Sequence, residues 1–216
     1  MDSKRNRRLI AYLLSLLDNG VLKTKLVKLI YLIDLISIEA IGKQISDYEY
    51  RFWHYGPYPI DIESTEASED DIVKNHSFEQ DITLLKVSNI ATIKKGISKY
   101  GNLYSAFHLS EDREEILSKA TEWFSQEERN IVNYVINRYG SEDTEIVIQE
   151  TYRTLPMLVS KAKQKLNLDP RDNIIKLSKI HAQRIRENIE FPKEVLEYNE
   201  EELKSESENL GYIVKE

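Results

Sequence analysis

Thr24-Lys25-Leu26-Val27-Lys28-Leu29-Ile30-Tyr31-Leu32-Ile33-Asp34-Leu35-Ile36-Ser37-Ile38-Glu39-Ala40-Ile41-Gly42 is the stretch on which the architecture turns. Apolar side chains fall on nearly every face of it. A helix of that kind is wrapped by other elements rather than laid on a surface. It is too short, and too charged at Lys25, Lys28, Asp34 and Glu39, to span a membrane. The Thr24 hydroxyl is the expected N-cap, accepting from the free amides of the first turn. Gly42 is the expected stop, because glycine enters the left-handed conformation without a Cβ penalty. Lys28 reads as a structural residue whose stem covers the edge of the core.

Directly downstream, Tyr48, Tyr50, Phe52 and His54 alternate with Glu49, Arg51, Trp53 and Tyr55. Period two with aromatic enrichment predicts a strand. Gly56-Pro57 is expected to end it, and Pro59 to stiffen the corner again. Two readings of this aromatic corner stand side by side. In one the rings cover the core beneath a turn. In the other they form a preorganised surface for a protein partner, since Trp and Tyr lose little entropy on binding.

Upstream, Leu9, Ile10, Leu13, Leu14, Leu16 and Leu17 form an apolar stripe, predicting a helix over about 5–18 that packs on the central one and closes at Asn19-Gly20. The basic run before it mimics an export signal. It lacks a small-residue cleavage site, so the segment reads as a helix of the domain.

Farther downstream, residues 61–81 carry eight acidic groups and one lysine. Ser68 is placed to cap a short helix there. The Ser-Glu-Asp-Asp run lacks the glycine and terminal glutamate of a calcium loop. It reads as a solvated acidic face, or as an electrostatic docking patch for a basic partner. Residues 82–109 are β-like and predict a small antiparallel sheet, joined by the strand at 48–55. Four helical signals follow: Glu111 to Phe124, the capping box Ser125-x-x-Glu128 ahead of Ile131 to Tyr139, Ser141 ahead of Glu142 to Glu150, and Pro156 opening Met157 to Leu166.

Asn167-Leu168-Asp169-Pro170 breaks the pattern. It suggests a domain over 1–166 and a C-terminal helical appendage over 167–216 with an acidic tail. Residues 161–186 carry eight basic groups against two acidic ones, and 190–216 carry nine acidic against three basic, within a chain of net charge −7. A helix over 171–190 presenting Lys176, Lys179, Arg184 and Arg186 is a candidate nucleic-acid contact, and the acidic tail is able to neutralise it.

Chemistry is scarce. The chain has no cysteine, which excludes disulfides and thiolate sites and fits a reducing cytoplasm. Its four histidines, His54, His76, His108 and His181, stand in no metal-ligand spacing. The seven glycines form no phosphate cradle and no nucleophile elbow is present. No catalytic residue, metal or cofactor is nominated.

Leu22-x-Thr24-Lys25-Leu26-Val27-Lys28-Leu29-Ile30-Tyr31, then Gly42, then Trp53-His54-Tyr55-Gly56-Pro57, resembles the Panacea antitoxin domain, the SocA-like and phage-associated family. Tyr139-Gly140-Ser141 and Glu150-Thr151-Tyr152-Arg153-Thr154-Leu155-Pro156 resemble its C-terminal signature. Where that family often has Thr-His and Pro-Trp pairs, this chain has Thr151-Tyr152 and Pro156-Met157. The resemblance runs over roughly residues 5 to 165. It implies a non-enzymatic cytoplasmic protein that neutralises a cognate toxin, encoded beside it, by stoichiometric binding. The partner-binding residues would be Tyr31, Trp53, His54, Tyr55, Gly56, Pro57 and Tyr58. The alternative is a DNA-binding transcriptional regulator with a winged-helix-like arrangement. The expected fold is α+β and predominantly α-helical, with helices around a buried central helix (about 24–41) and a small antiparallel sheet.

Overall fold

The computed structural model describes residues 4–17, 20–53, 56–59, 62, 72–73, 83–87, 91–97, 103–165, 174–175 and 177. Its elements in chain order are α1 (Lys4–Leu16), β1 (Val21–Leu22), α2 (Lys23–Ile41), β2 (Tyr50–Trp53), β3 (Gly56–Pro59), β4 (Ile72–Val73), β5 (Thr83–Val87), β6 (Ala91–Ile97), β7 (Leu103–Leu109), α3 (Arg113–Trp123), α4 (Gln126–Tyr139), α5 (Thr144–Tyr152), α6 (Leu155–Lys165) and β8 (Ile174–Ile175). The fold is α+β, helix-rich and organised around α2 as expected.

The all-round apolar character of α2 has its counterpart in its neighbours: α4, α5, β1, β3 and β7 all pack on it. Leu26, Leu29, Ile30, Tyr31 and Ile33 have no exposed surface. Gly42 closes the helix at φ 77°, its N–H donating to the Ile38 carbonyl at 3.1 Å. The start differs from expectation. Leu22 is the N-cap and no side chain caps it, so Thr24 lies inside the first turn. The preceding residues pair as β1 with β7, and this pairing sets where the helix begins. The apolar stripe of α1 turns chiefly on α3, with β7 and α4 beside it, rather than on α2.

Of the later helices, α4 carries the predicted capping box, with Ser125 Oγ accepting from the Glu128 N–H and Glu128 accepting from the Ser125 N–H. For α3 the cap is Asp112, whose carboxylate accepts from the Glu115 N–H at 2.9 Å. Asp143, not Ser141, stands at the start of α5.

The strands form two sheets, where one was expected. The larger has the order β1-β7-β6-β5-β4, all neighbours antiparallel. The strand at 50–53 does not join it. It pairs with β3 and β8 in a separate sheet of order β3-β2-β8. Gly56-Pro57 therefore opens a return strand rather than ending the extended structure. The helix predicted over 171–190 is corrected at its start, because Ile174 and Ile175 are extended and pair with Arg51 and Tyr50. Two adjacent β-branched residues favour that conformation once a strand edge is offered. The acidic helix expected near Ser68 lies outside the described residues.

Candidate functional site

Four buried polar residues stand three apart along α2: Lys28, Tyr31, Asp34 and Ser37. A step of three residues falls short of a full helical turn by about 60°. The series therefore winds around the helix and reaches a different element at each step. Each member makes the hydrogen bond that its burial demands.

Lys28 Nζ donates to the Pro57 carbonyl of β3 at 2.9 Å. The lysine is 1 % exposed, so its head is buried with its stem, contrary to the expected role at the edge of the core. Among the described residues no carboxylate contributes to its titration, and burial draws the ammonium down to about 7. Tyr31 Oη and Thr154 Oγ1 are 2.7 Å apart, which ties α2 to the junction of α5 and α6. Burial raises the Tyr31 phenol above its ordinary range, and the Thr154 bond works against that shift.

Asp34 is the most heavily bonded member. Its carboxylate accepts from the N–H of Ile45 at 2.9 Å and of Ser46 at 2.8 Å, from Tyr50 Oη at 2.6 Å, from Gln44 Nε2 at 3.3 Å and from the Ser46 hydroxyl. Burial pushes this carboxyl up, and the bonds from Ser46, Tyr50 and Gln44 pull it back. Burial also raises Tyr50, and the neighbouring Asp34 charge raises it further. The Tyr50 ring meets Tyr31 edge-on, with centroids 5.4 Å apart. Ser37 Oγ donates to the Lys43 carbonyl at 2.6 Å and fastens the exit from the helix.

The column fixes the β2–β3 hairpin and the segment leading into it. A second set of contacts holds that segment from the other side. Arg5 donates to the Ile45 carbonyl, and the Asp47 N–H donates to Asn6 Oδ1 at 2.8 Å. Arg5 and Lys43 both reach Glu128, at 2.6 Å and 2.9 Å. Burial alone would raise Glu128. Lys43, the Ser125 N–H and Arg5 outweigh it and hold the carboxyl below its usual range.

Gly56 makes the hairpin's approach to α2 possible. It has φ 92°, a conformation that side chains disfavour. A Cβ there would lie 3.3 Å from the Tyr152 ring and 3.5 Å from Lys28 Nζ. Lys28, Tyr31, Gly56, Pro57, Tyr152 and Thr154 thus converge. All lie in the stretches that resemble the family, Tyr152 at a position where this chain departs from it, and they meet inside the molecule.

The expected partner-binding residues divide accordingly. Tyr31 has no exposed surface, which corrects its assignment as a surface anchor. Gly56 and Pro57 are buried as well, and they set the course of the hairpin from within. Tyr58 is half-buried, with the Lys23 ammonium 5.8 Å from its ring centroid. The Trp53 backbone pairs with Gly56 across the hairpin. His54 and Tyr55 lie outside the described residues, as do Lys176, Lys179, Arg184 and Arg186. Sequence reasoning missed Asp34 as the principal fastener. The available signal was the recurrence of a polar residue every third position in an apolar helix.

Among the described residues no group of three or more His, Asp or Glu is placed to hold a metal ion. Among them, too, no helix is long and apolar enough to cross a membrane.

No curated protein and no solved structure matches the chain. The family model described as "Antitoxin SocA-like, Panacea domain" matches residues 26–156, over half the chain, and that span contains α2 from Leu26 on with its polar column, both strands of the hairpin, and the Tyr152–Thr154 contacts. The chain belongs to the SocA-like antitoxin family and carries its Panacea domain.

Proposed function

We propose that this protein is an antitoxin that binds a toxin encoded beside it and neutralises it stoichiometrically, without catalysis, in the cytoplasm. The observation that carries this reading is where the polar residues of α2, within the family-matched span, lie. Lys28 and Asp34 are spent on internal hydrogen bonds to the hairpin and its flanks, and Tyr31 on Thr154 at the junction of α5 and α6. Groups satisfied in this way hold a surface in shape instead of transforming a substrate.

The presented element is the hairpin from Tyr50 to Pro59, with Trp53, His54, Tyr55 and Tyr58 as candidate anchors. A hairpin fixed from beneath loses little entropy when a partner docks, so more of its contact energy appears as affinity. The acidic run over 61–81 would steer a basic toxin toward it. The working unit covers residues 1–166, to which 174–175 adds a strand.

The test is co-expression of the tagged chain with each immediately neighbouring reading frame, together with a growth assay of that neighbour alone. A neighbour that is toxic alone, harmless in company and retained in a pull-down is the expected result. Failure of every neighbour on both counts would overturn the reading. Trp53→Ala should then leave the fold intact and weaken partner binding by about 2 kcal/mol or more, measured by calorimetry. Unchanged affinity would remove the hairpin from the interface.

A further inference from the structure

The β3-β2-β8 sheet has two unlike sides. On one side β3 contains Pro57 and Pro59, which have no N–H to donate, and the Pro57 carbonyl is taken by Lys28. That side is closed to further strands. The other side of β2 is occupied by β8, Ile174–Ile175. β2 and β3 fall within the family-matched span 26–156, and β8 does not. The family unit thus brings a two-stranded hairpin, and its third strand comes from elsewhere. A two-stranded hairpin is marginal without a further strand or other packing.

The present occupant defines the chemistry of this edge. Ile175 is 4 % exposed and stands opposite Tyr50 on the core face, while Ile174 is 39 % exposed and stands opposite Arg51 on the outer face. The edge accepts an antiparallel extended backbone with one β-branched apolar side chain pointing inward. It is also rigid, because Tyr50 is tied to Asp34 from beneath. Resting on the antitoxin reading above, we propose that the outer edge of β2 is a strand-acceptor site. It takes an extended apolar segment of the toxin, and β8 fills it in the free chain as an internal stand-in. Binding exchanges one strand for the other, with backbone hydrogen bonds giving affinity and the Ile175 slot giving selectivity.

The chain has no cysteine, so Arg51→Cys with Ile174→Cys creates a single cross-strand pair that locks β8 in place when oxidised. The first probe is a synthetic peptide copying residues 172–177. It should bind the full-length Ile175→Asp chain, whose β8 no longer holds the slot. It should bind the double-cysteine chain at least tenfold more weakly when oxidised than when reduced. Equal binding to the two redox forms, or binding to none of the chains, overturns the proposal. If Ile175→Asp fails to fold by circular dichroism, the redox pair decides alone. Dimerisation of the opened chain in place of peptide binding assigns the edge to a second copy and likewise overturns it. These arms use no toxin, so their failure leaves the antitoxin reading untouched. In the last arm, a neighbour-encoded toxin should be captured by the reduced chain and lost on oxidation. Equal capture by both forms sinks strand exchange while supporting the antitoxin reading.

Discussion

The two sheets of this protein are held together by different physics. In the larger one, β5, β6 and β7 succeed one another as antiparallel neighbours, and the buried Ile93 and Phe107 face each other across β6 and β7. Pairing of chain-adjacent strands and apolar contact account for β4 to β7, and β1 joins β7 from far upstream. In the smaller one, β2 and β3 have four residues each, two of the eight are prolines, and β3 begins at Gly56 with φ 92°. Strands so short hold only when something outside the sheet fastens them. Here that is Lys28 and Asp34 on the central helix, with the Tyr31 ring against Tyr50 between them. The lesson is that a helix that looks purely apolar can carry the polar fasteners of a distant hairpin.

The sharpest way to break the contrast is Asp34→Ala. It leaves the donors of Ile45, Ser46 and Tyr50 buried without their acceptor. The expected loss is about 3 kcal/mol or more of stability in urea denaturation. Amide exchange should accelerate over 44–53 and stay slow over 91–97. Equal acceleration in both segments would mean that the two sheets do not differ as described.

Lys28→Met tests the other end of the column through its pH dependence. Burial holds the folded-state ammonium at about 7, below the 10.5 of a free lysine. Above about pH 7 the unfolded chain therefore binds more protons than the folded one, and stability rises with pH. Between pH 7 and 9 the wild type should gain about 2 kcal/mol from this residue, and the methionine variant should lose that gain. Parallel pH profiles for the two proteins would contradict a desolvated Lys28.

Gly56→Ala should have a smaller effect, about 1–2 kcal/mol, from backbone strain at positive φ together with crowding against Tyr152. Thermal melts would record it. A neutral result would imply that the hairpin does not depend on its close approach to α2.

Much of this architecture was legible in the chain. The all-round apolar run predicted a wrapped helix, and Gly42 and the Ser125–Glu128 box marked boundaries, because each rests on interactions within one turn. Alternation over 48–55 announced a strand, but alternation is silent on partners, and β2 joined β3 and β8 rather than the strands at 83–109. Thr24 and Ser141 had the chemistry of caps, and tertiary pairing or a neighbouring residue set the helix starts instead. Burial of the named partner-binding residues was not legible, because alternation and aromatic content do not say which side of a hairpin is covered. Tyr31, Gly56 and Pro57 were expected at a surface and lie within.

By itself, then, the sequence determined the central helix, its stop, the aromatic strand and the family to which these motifs belong, because such features depend on periodicity and on contacts only a few residues apart. Only the tertiary structure decided that Lys28, Tyr31 and Asp34 face inward, that Gly56 rests against Tyr152, and that Ile174 and Ile175 complete the hairpin's sheet. The reason is that burial and pairing are set by which elements arrive at a side chain from far along the chain, and no local pattern encodes that arrival.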